Sequence, residues 1–182
     1  MTRANIKGVK GFSLIEVLIT LLILMTGLLG LAGLQGRALT SQLESYQRSQ
    51  ALILVKDMED RLNANRANAA SYITNPTYPS PLGVGYVGCT TTTTTTAARD
   101  LCEWNYALQG SAEGATLGAM IGARGCIYRL SAAVPNKYLI AIAWQGLTRT
   151  AAPGVDCGLD SYGSNDALRR VITIPITIAN LN

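Results

Sequence analysis

The chain has 182 residues and a formal charge of +4, but Arg3, Lys7 and Lys10 supply three of those charges before the first apolar run, so the remainder carries only +1. That length favours one domain with a modest core, and the basic balance is weak evidence for nucleic-acid binding, because no basic run with interleaved aromatics follows. Histidine is absent, which excludes Ser-His-Asp and Cys-His catalysis and every His-ligated metal site.

The first element is apolar. From Phe12 to Leu34 the sole charged residue is Glu16. A helix over that stretch spans roughly 35 Å, enough for the hydrocarbon core of a bilayer. Basic residues lie only on its N-terminal side, with Arg37 the first charge after it, so the positive-inside rule leaves the N-terminus cytoplasmic and exports the rest. A cleaved secretory signal is the competing reading. The run is too long for an ordinary signal core and no A-x-A site closes it, so an anchor is preferred.

Beyond Arg37 the helical pattern continues with no Pro or Gly before Pro76. Leu39, Leu43, Tyr46, Leu54, Met58 and Leu62 are expected on one stripe, interrupted by Gln50. Glu44/Arg48, Lys56/Asp60 and Asp57/Arg61 are i,i+4 pairs of opposite charge. Anchor and amphipathic helix thus read as one rod ending between Asn65 and Ala70, ahead of the breakers Asn75-Pro76 and Pro79-Ser80-Pro81. Gly27, Gly30, Gly33 and Gly36 recur every three residues within it. Two readings stay open for them: close packing between membrane helices, or a segment that loosens when the helix leaves lipid.

Residues 71 to 96 read as irregular and end in the threonine tract Thr90 to Thr96, a loop that could feed an edge strand. Residues 97 to 109 predict a short helix with Leu101, Trp104 and Leu108 on one side, and Gly-rich sequence runs on to Gly125. Strands are expected at Cys126 to Ala132, at Lys137 to Gln145 after a turn at Pro135-Asn136, and at Val171 to Ile178. Tyr138, Ile140, Ile142 and Trp144 alternate on the second, and Ile172, Ile174, Ile176 and Ile178 share a face of the third. Pro175 cannot donate to a ladder, which puts this last strand at an edge or leaves it locally unpaired. The isoleucine face needs an apolar cover, and the helix stripe is the expected one.

The cysteines are Cys89, Cys102, Cys126 and Cys157, all beyond the apolar segment and without a CxxC pair. An even count beyond an anchor suggests two disulfides in an oxidising compartment, with buried free thiols as the alternative. If Ala132 pairs near Lys137, Cys126 lies at the end of the sheet where the chain leaves Gln145, on the loop that carries Cys157. Of three possible connectivities this favours Cys126–Cys157 and leaves Cys89–Cys102. Asp156, Asp160 and Asp166 share a Gly-rich loop, but their spacing matches no EF-hand and an ordinary solvated loop is preferred to a calcium site. No cofactor or metal is expected.

A short basic leader ending in Gly11, followed by FSLIEVLITLLIL with its carboxylate at the fifth position, resembles the type IV prepilin signal. Major pilins, minor pilins and the pseudopilins of type II secretion share that signal. GLAGLQGRAL, MEDRLNANR, DLCEWNYALQ, the AWQG at Ala143 to Gly146 and LRRVITIPITI extend the likeness toward the minor pilins of type IV pili. The resemblance implies an α+β fold, a long N-terminal helix packed on a small antiparallel sheet. It divides the chain into a leader at 1–11, a transmembrane and assembly helix at 12–34, the amphipathic half of that helix at 35–70, and a periplasmic globular part at 71–182.

The same resemblance implies a non-enzymatic subunit. A prepilin peptidase would cut between Gly11 and Phe12, the new amine of Phe12 would be N-methylated, and Glu16 would dock against a neighbouring subunit's N-terminal ammonium. Other minor pilins, the major pilin and a large tip adhesin are the implied partners. The inner membrane holds the single-pass precursor, and the pilus tip is the final location. A lone carboxylate near the bilayer core costs on the order of 2.5–3.5 kcal/mol on insertion scales, which alone favours a Glu16 that snorkels or protonates; the Gly11–Phe12 junction of the prepilin resemblance is what turns the expectation to pairing. Three other readings remain beside the minor pilin. They are a type II secretion pseudopilin, a membrane-anchored enzyme for which no nucleophile elbow, phosphate loop or metal spacing is found, and a DNA-uptake subunit lacking a basic stripe.

Overall fold

The computed structural model describes residues 11–74, 81–84, 89, 95–110, 120–131, 136–163 and 165–179. The leader at 1–10, the breakers Asn75-Pro76 and Pro79-Ser80, most of the threonine tract and the turn at Pro135 lie outside the described residues. The first helix, α1, is Leu14–Ala64. The chain divides into two units, Met1–Gln42 and Leu43–Asn182.

In the first unit every described residue up to Leu39 is exposed. Its part of α1 is long and apolar enough to cross a membrane. Leucine and isoleucine dominate it, and Thr20 and Thr26 return their hydroxyls to the carbonyls of Val17 and Ile23. Such back-bonding satisfies a hydroxyl where water is scarce.

In the second unit α1 ends where Asn65 leaves the helical region, and a 3-10 helix, Arg66–Tyr72, follows with an irregular Asn68. The second α-helix, α2, is Thr96–Leu108. Thr95 caps it, its hydroxyl accepting from the Ala98 amide at 3.2 Å, so the end of the threonine tract is a helix start. Three strands follow: β1 Arg124–Ser131, β2 Asn136–Gln145 and β3 Arg169–Ile178. They form one antiparallel sheet in the order β1-β2-β3. β3 is therefore an edge strand, as Pro175 requires, and Pro175 lies opposite Leu139.

One face of the sheet holds the core. Ala51, Val55, Met58 and Leu62 of α1 cluster with Tyr138, Ile140, Ile142, Trp144, Ile176 and Ile178, and α2 adds Trp104 and Leu108. The helical face differs from the stripe expected at its start. Leu39, Leu43 and Tyr46 are 60%, 55% and 49% exposed, whereas Gln47 is 6% exposed. Residues counted in steps of four drift about 40° per step around a 3.6-residue helix, so a stripe begun at Leu39 rotates away from the face that Met58 and Leu62 share. The Glu44/Arg48 pair is likewise not formed, because Glu44 turns to β3 and to the chain after β2. Lys56–Asp60 and Asp57–Arg61 do pair, at 3.5 and 3.1 Å.

The opposite face of the sheet is also covered. Cys126, Ala141 and Ala143 pack with Cys157 and Tyr162 from the chain between β2 and β3, with Val155, Leu168 and Val171 around them. Arg169, 2% exposed, holds that cover in place. Its guanidinium donates to the carbonyls of Val155, Cys157 and Pro153 and pairs with Asp166 at 3.2 Å. The carbonyls and the Asp166 charge offset the desolvation of this buried guanidinium, although its Nε makes no hydrogen bond.

Candidate processing and docking site

Gly11 and Phe12 precede the first turn of α1 and are exposed, Phe12 to 85%. Ser13 opens the helix, its carbonyl accepting from the amides of Glu16 at 3.0 Å and Val17 at 3.4 Å. Gly11 and Phe12 thus lie outside the helix. Glu16 lies in the first turn and is exposed. There its carboxylate meets the positive end of the helix dipole, which favours an acid at that position. Gly11, Phe12 and Glu16 are brought together by sequence alone, and the helix start supplies their common register.

The cysteines form two bridges. Cys89 joins Cys102 of α2 with 5.7 Å between Cα atoms, and Cys126 of β1 joins Cys157 with 5.8 Å. The first ties the chain ahead of α2 to that helix, where the Cys89 amide also donates to the Tyr106 hydroxyl. The second fastens the covering loop to the sheet. Among the described residues no His, Cys, Asp and Glu gather into a metal-holding group. Asp166 is occupied otherwise, one oxygen accepting from the Asp160 amide at 3.1 Å and the other facing Arg169.

Two polar clusters reach beyond the helix pairs visible in the sequence. At the end of α1, Arg61 pairs with Asp57, with Asp100 at 3.3 Å and with Glu103 at 2.6 Å. Tyr72 of the 3-10 helix accepts from Asn65 and donates to Asp100. Burial pushes the Tyr72 hydroxyl up to about 12, and the bond to Asp100 acts in the same direction. Near the start of the second unit, Glu44 Oε1 accepts from the amides of Leu147 and Thr148, from the Thr148 hydroxyl at 2.7 Å, and from Arg170 at 3.3 Å. The Thr148 hydroxyl is the main reason the Glu44 carboxyl sits below its ordinary value, against a partial burial that raises it. The partners are more than a hundred residues from Glu44, and only the i,i+4 neighbour Arg48 was visible from spacing.

Residues 6–32 match the prokaryotic N-terminal methylation motif. Residues 33–105 match the model of a family described as type IV pilin Tt1218. Each match covers less than half of the chain, so each marks a likeness: to a prepilin-type N-terminus and, over 33–105, to a type IV pilin. Comparison with curated proteins and with solved structures gave no match to either.

The pilin likeness orders the geometry. A methylation motif implies processing by a prepilin peptidase and association with other pilins, and with the apolar α1 it supports a membrane-anchored precursor that later enters a pilus. The clusters at Arg61 and Glu44 tie α1 to α2 and to β3 with the chain after β2.

Proposed function

We propose that this chain is a minor pilin, closest in character to PilV, which primes type IV pilus assembly. It sits in the tip complex with other minor pilins and a large adhesin. The observation that carries the reading is the register of Gly11 and Phe12 just ahead of α1 with Glu16 in its first turn, inside the methylation motif. The AWQG and LRRVITIPITI segments support the pilus branch over the pseudopilins of type II secretion. On this reading the peptidase cuts between Gly11 and Phe12 on the cytoplasmic side, and Phe12 is methylated. Residues 12–34 then anchor the subunit in the inner membrane, α1 continues beyond them to Ala64, and 71–182 lie in the periplasm until assembly.

Glu16 provides the docking step. After cleavage its carboxylate is about one turn from a free amine at Phe12, so two staggered subunits can set ammonium against carboxylate. In a low dielectric a mismatched register leaves both charges unpaired, which is heavily penalised. The test is co-purification of the exported part, from about Gln35 onward, with the minor pilins encoded by the same genome. Capture of those pilins supports the reading. Binding to type II secretion components instead assigns the chain to that system.

A further inference from the structure

We propose that Glu44 is a proton-sensitive latch: ionised, it holds the strap Leu147–Thr150 on α1, and protonated, it releases the strap while the sheet stays folded. The geometry concentrates four donors on one carboxylate oxygen, namely the amides of Leu147 and Thr148, the Thr148 hydroxyl and the Arg170 guanidinium. The two amides have no other acceptor among the described residues. A protonated carboxyl is a much poorer acceptor and brings a hydrogen of its own into a cluster made entirely of donors, so the arrangement suits only the anion.

The rest of the strap shows what release would leave behind. Its ends are fixed independently, Gly146 donating to the Leu168 carbonyl at 2.7 Å and Thr150 to the Ala167 carbonyl at 2.8 Å. Arg170 also grips the Thr148 carbonyl and the Thr150 hydroxyl, both at 2.7 Å. An uncharged Glu44 therefore frees the strap from the helix without freeing it from β3. The consequence falls on α1. Among the described residues of the second unit, Glu44 is the first of that helix with a hydrogen bond to another element, and the next such tie is the Trp104 indole on the Leu54 carbonyl at 2.9 Å. Opening the latch moves the first polar tie along α1 by ten residues, roughly 15 Å at the helical rise.

The charges around Glu44 are few. Arg170 from β3 faces it at 3.3 Å. From α1, Arg48 makes no ion pair with it, and Arg149 of the strap is exposed and contributes only its place in the chain. Glu44 is thus the member that titrates. Its carboxyl is held below the ordinary glutamate range, chiefly by the Thr148 hydroxyl. The clamp is complete above the unfolded pKa and is lost as the pH falls through the lower folded value.

The test is NMR of the full-length, nitrogen-15-labelled chain in detergent micelles between pH 7 and pH 3. The amides of Leu147 and Thr148 should shift together with one midpoint below that of an ordinary glutamate, while those of Ile140 and Ile142 stay flat. Glu44→Gln should abolish that titration and speed hydrogen exchange at the two strap amides on the order of tenfold, as expected for loss of a charge-assisted bond. Thr148→Val, which keeps the carboxylate, should raise the midpoint. The proposal is overturned if the strap amides titrate equally in Glu44→Gln, if they do not titrate in the native chain, or if the sheet amides move with the same midpoint.

Discussion

A methyl group added at Gly125 would lie 2.4 Å from the ring of Trp104. Glycine at the start of β1 is what lets the α2 indole approach the strand backbone, with Leu108 also within 2.6 Å of that point. Trp104 is fully buried and has no space into which to retreat. Gly125→Ala is therefore expected to cost about 1–3 kcal/mol through overpacking. Thermal denaturation of the chain in detergent, followed by near-UV dichroism, measures it. An unchanged midpoint would show that the ring has room after all.

Tyr72 links three segments through one hydroxyl. Tyr72→Phe removes the donor to Asp100, itself nearly buried, and the acceptor for Asn65. The expected loss is about 1–3 kcal/mol, because a buried carboxylate is left short of a partner. Denaturant unfolding reads the difference, and Asp100→Asn combined with Tyr72→Phe should cost less than the two single changes added together.

The tyrosines make the fold alkali-sensitive. Tyr72 and Tyr128 are both raised to about 12, each mainly by burial, and Tyr162 is raised further for the same reason. A folded pKa above the unfolded one means that the stabilising contribution is complete below about pH 10 and is lost as the pH rises toward the folded values. The melting temperature should hold steady near pH 9 and fall between pH 10 and pH 12. Phenolate absorbance should show these three side chains ionising late.

The Cys126–Cys157 bridge closes a loop with a sequence separation of 31 residues. Replacing both cysteines by alanine is expected to remove roughly 2–4 kcal/mol. Limited proteolysis should then cut between Gly146 and Leu168 before it cuts the sheet. If β2 and the loop are cleaved at the same rate, the bridge is not what holds the cover down.

Glu16→Ala tests the docking role. Removing the acid makes α1 cheaper to keep in lipid by on the order of 2.5–3.5 kcal/mol, so membrane levels of the subunit should not fall. Incorporation into pili, measured in sheared fractions, should drop at least tenfold. Normal incorporation together with an intact minor-pilin complex would rule out the pairing.

The parts of the fold that follow from local pattern were readable in the sequence. The run from Phe12 to Leu34 and the alternation of Ile172 to Ile178 each repeat one physical rule many times, so the long helix, the edge strand and the isoleucine core face could be read directly. The methylation motif was legible because the register of Gly11, Phe12 and Glu16 lies within six consecutive residues. The phase of α1 was not, since Leu43 and Tyr46 are as apolar as the residues that dock, and only the neighbouring sheet distinguishes them. The second buried face escaped for a different reason. Ala141, Ala143 and a glycine-rich connection carry little hydrophobic signal until Arg169 gathers three carbonyls around itself. Glu44 shows the same limit, its partners being set by topology and not by spacing.

The sheet is shielded by a helix on one side and by a pinned connection on the other, and this has a practical consequence. The connection is secured at its ends and middle, yet Ala151, Ala152 and Gly154 are exposed. Those positions form a display site. A short tag or foreign epitope inserted between Ala151 and Ala152 would be carried on the outside of the subunit while the inward-facing Val155, Cys157 and Tyr162 keep their places.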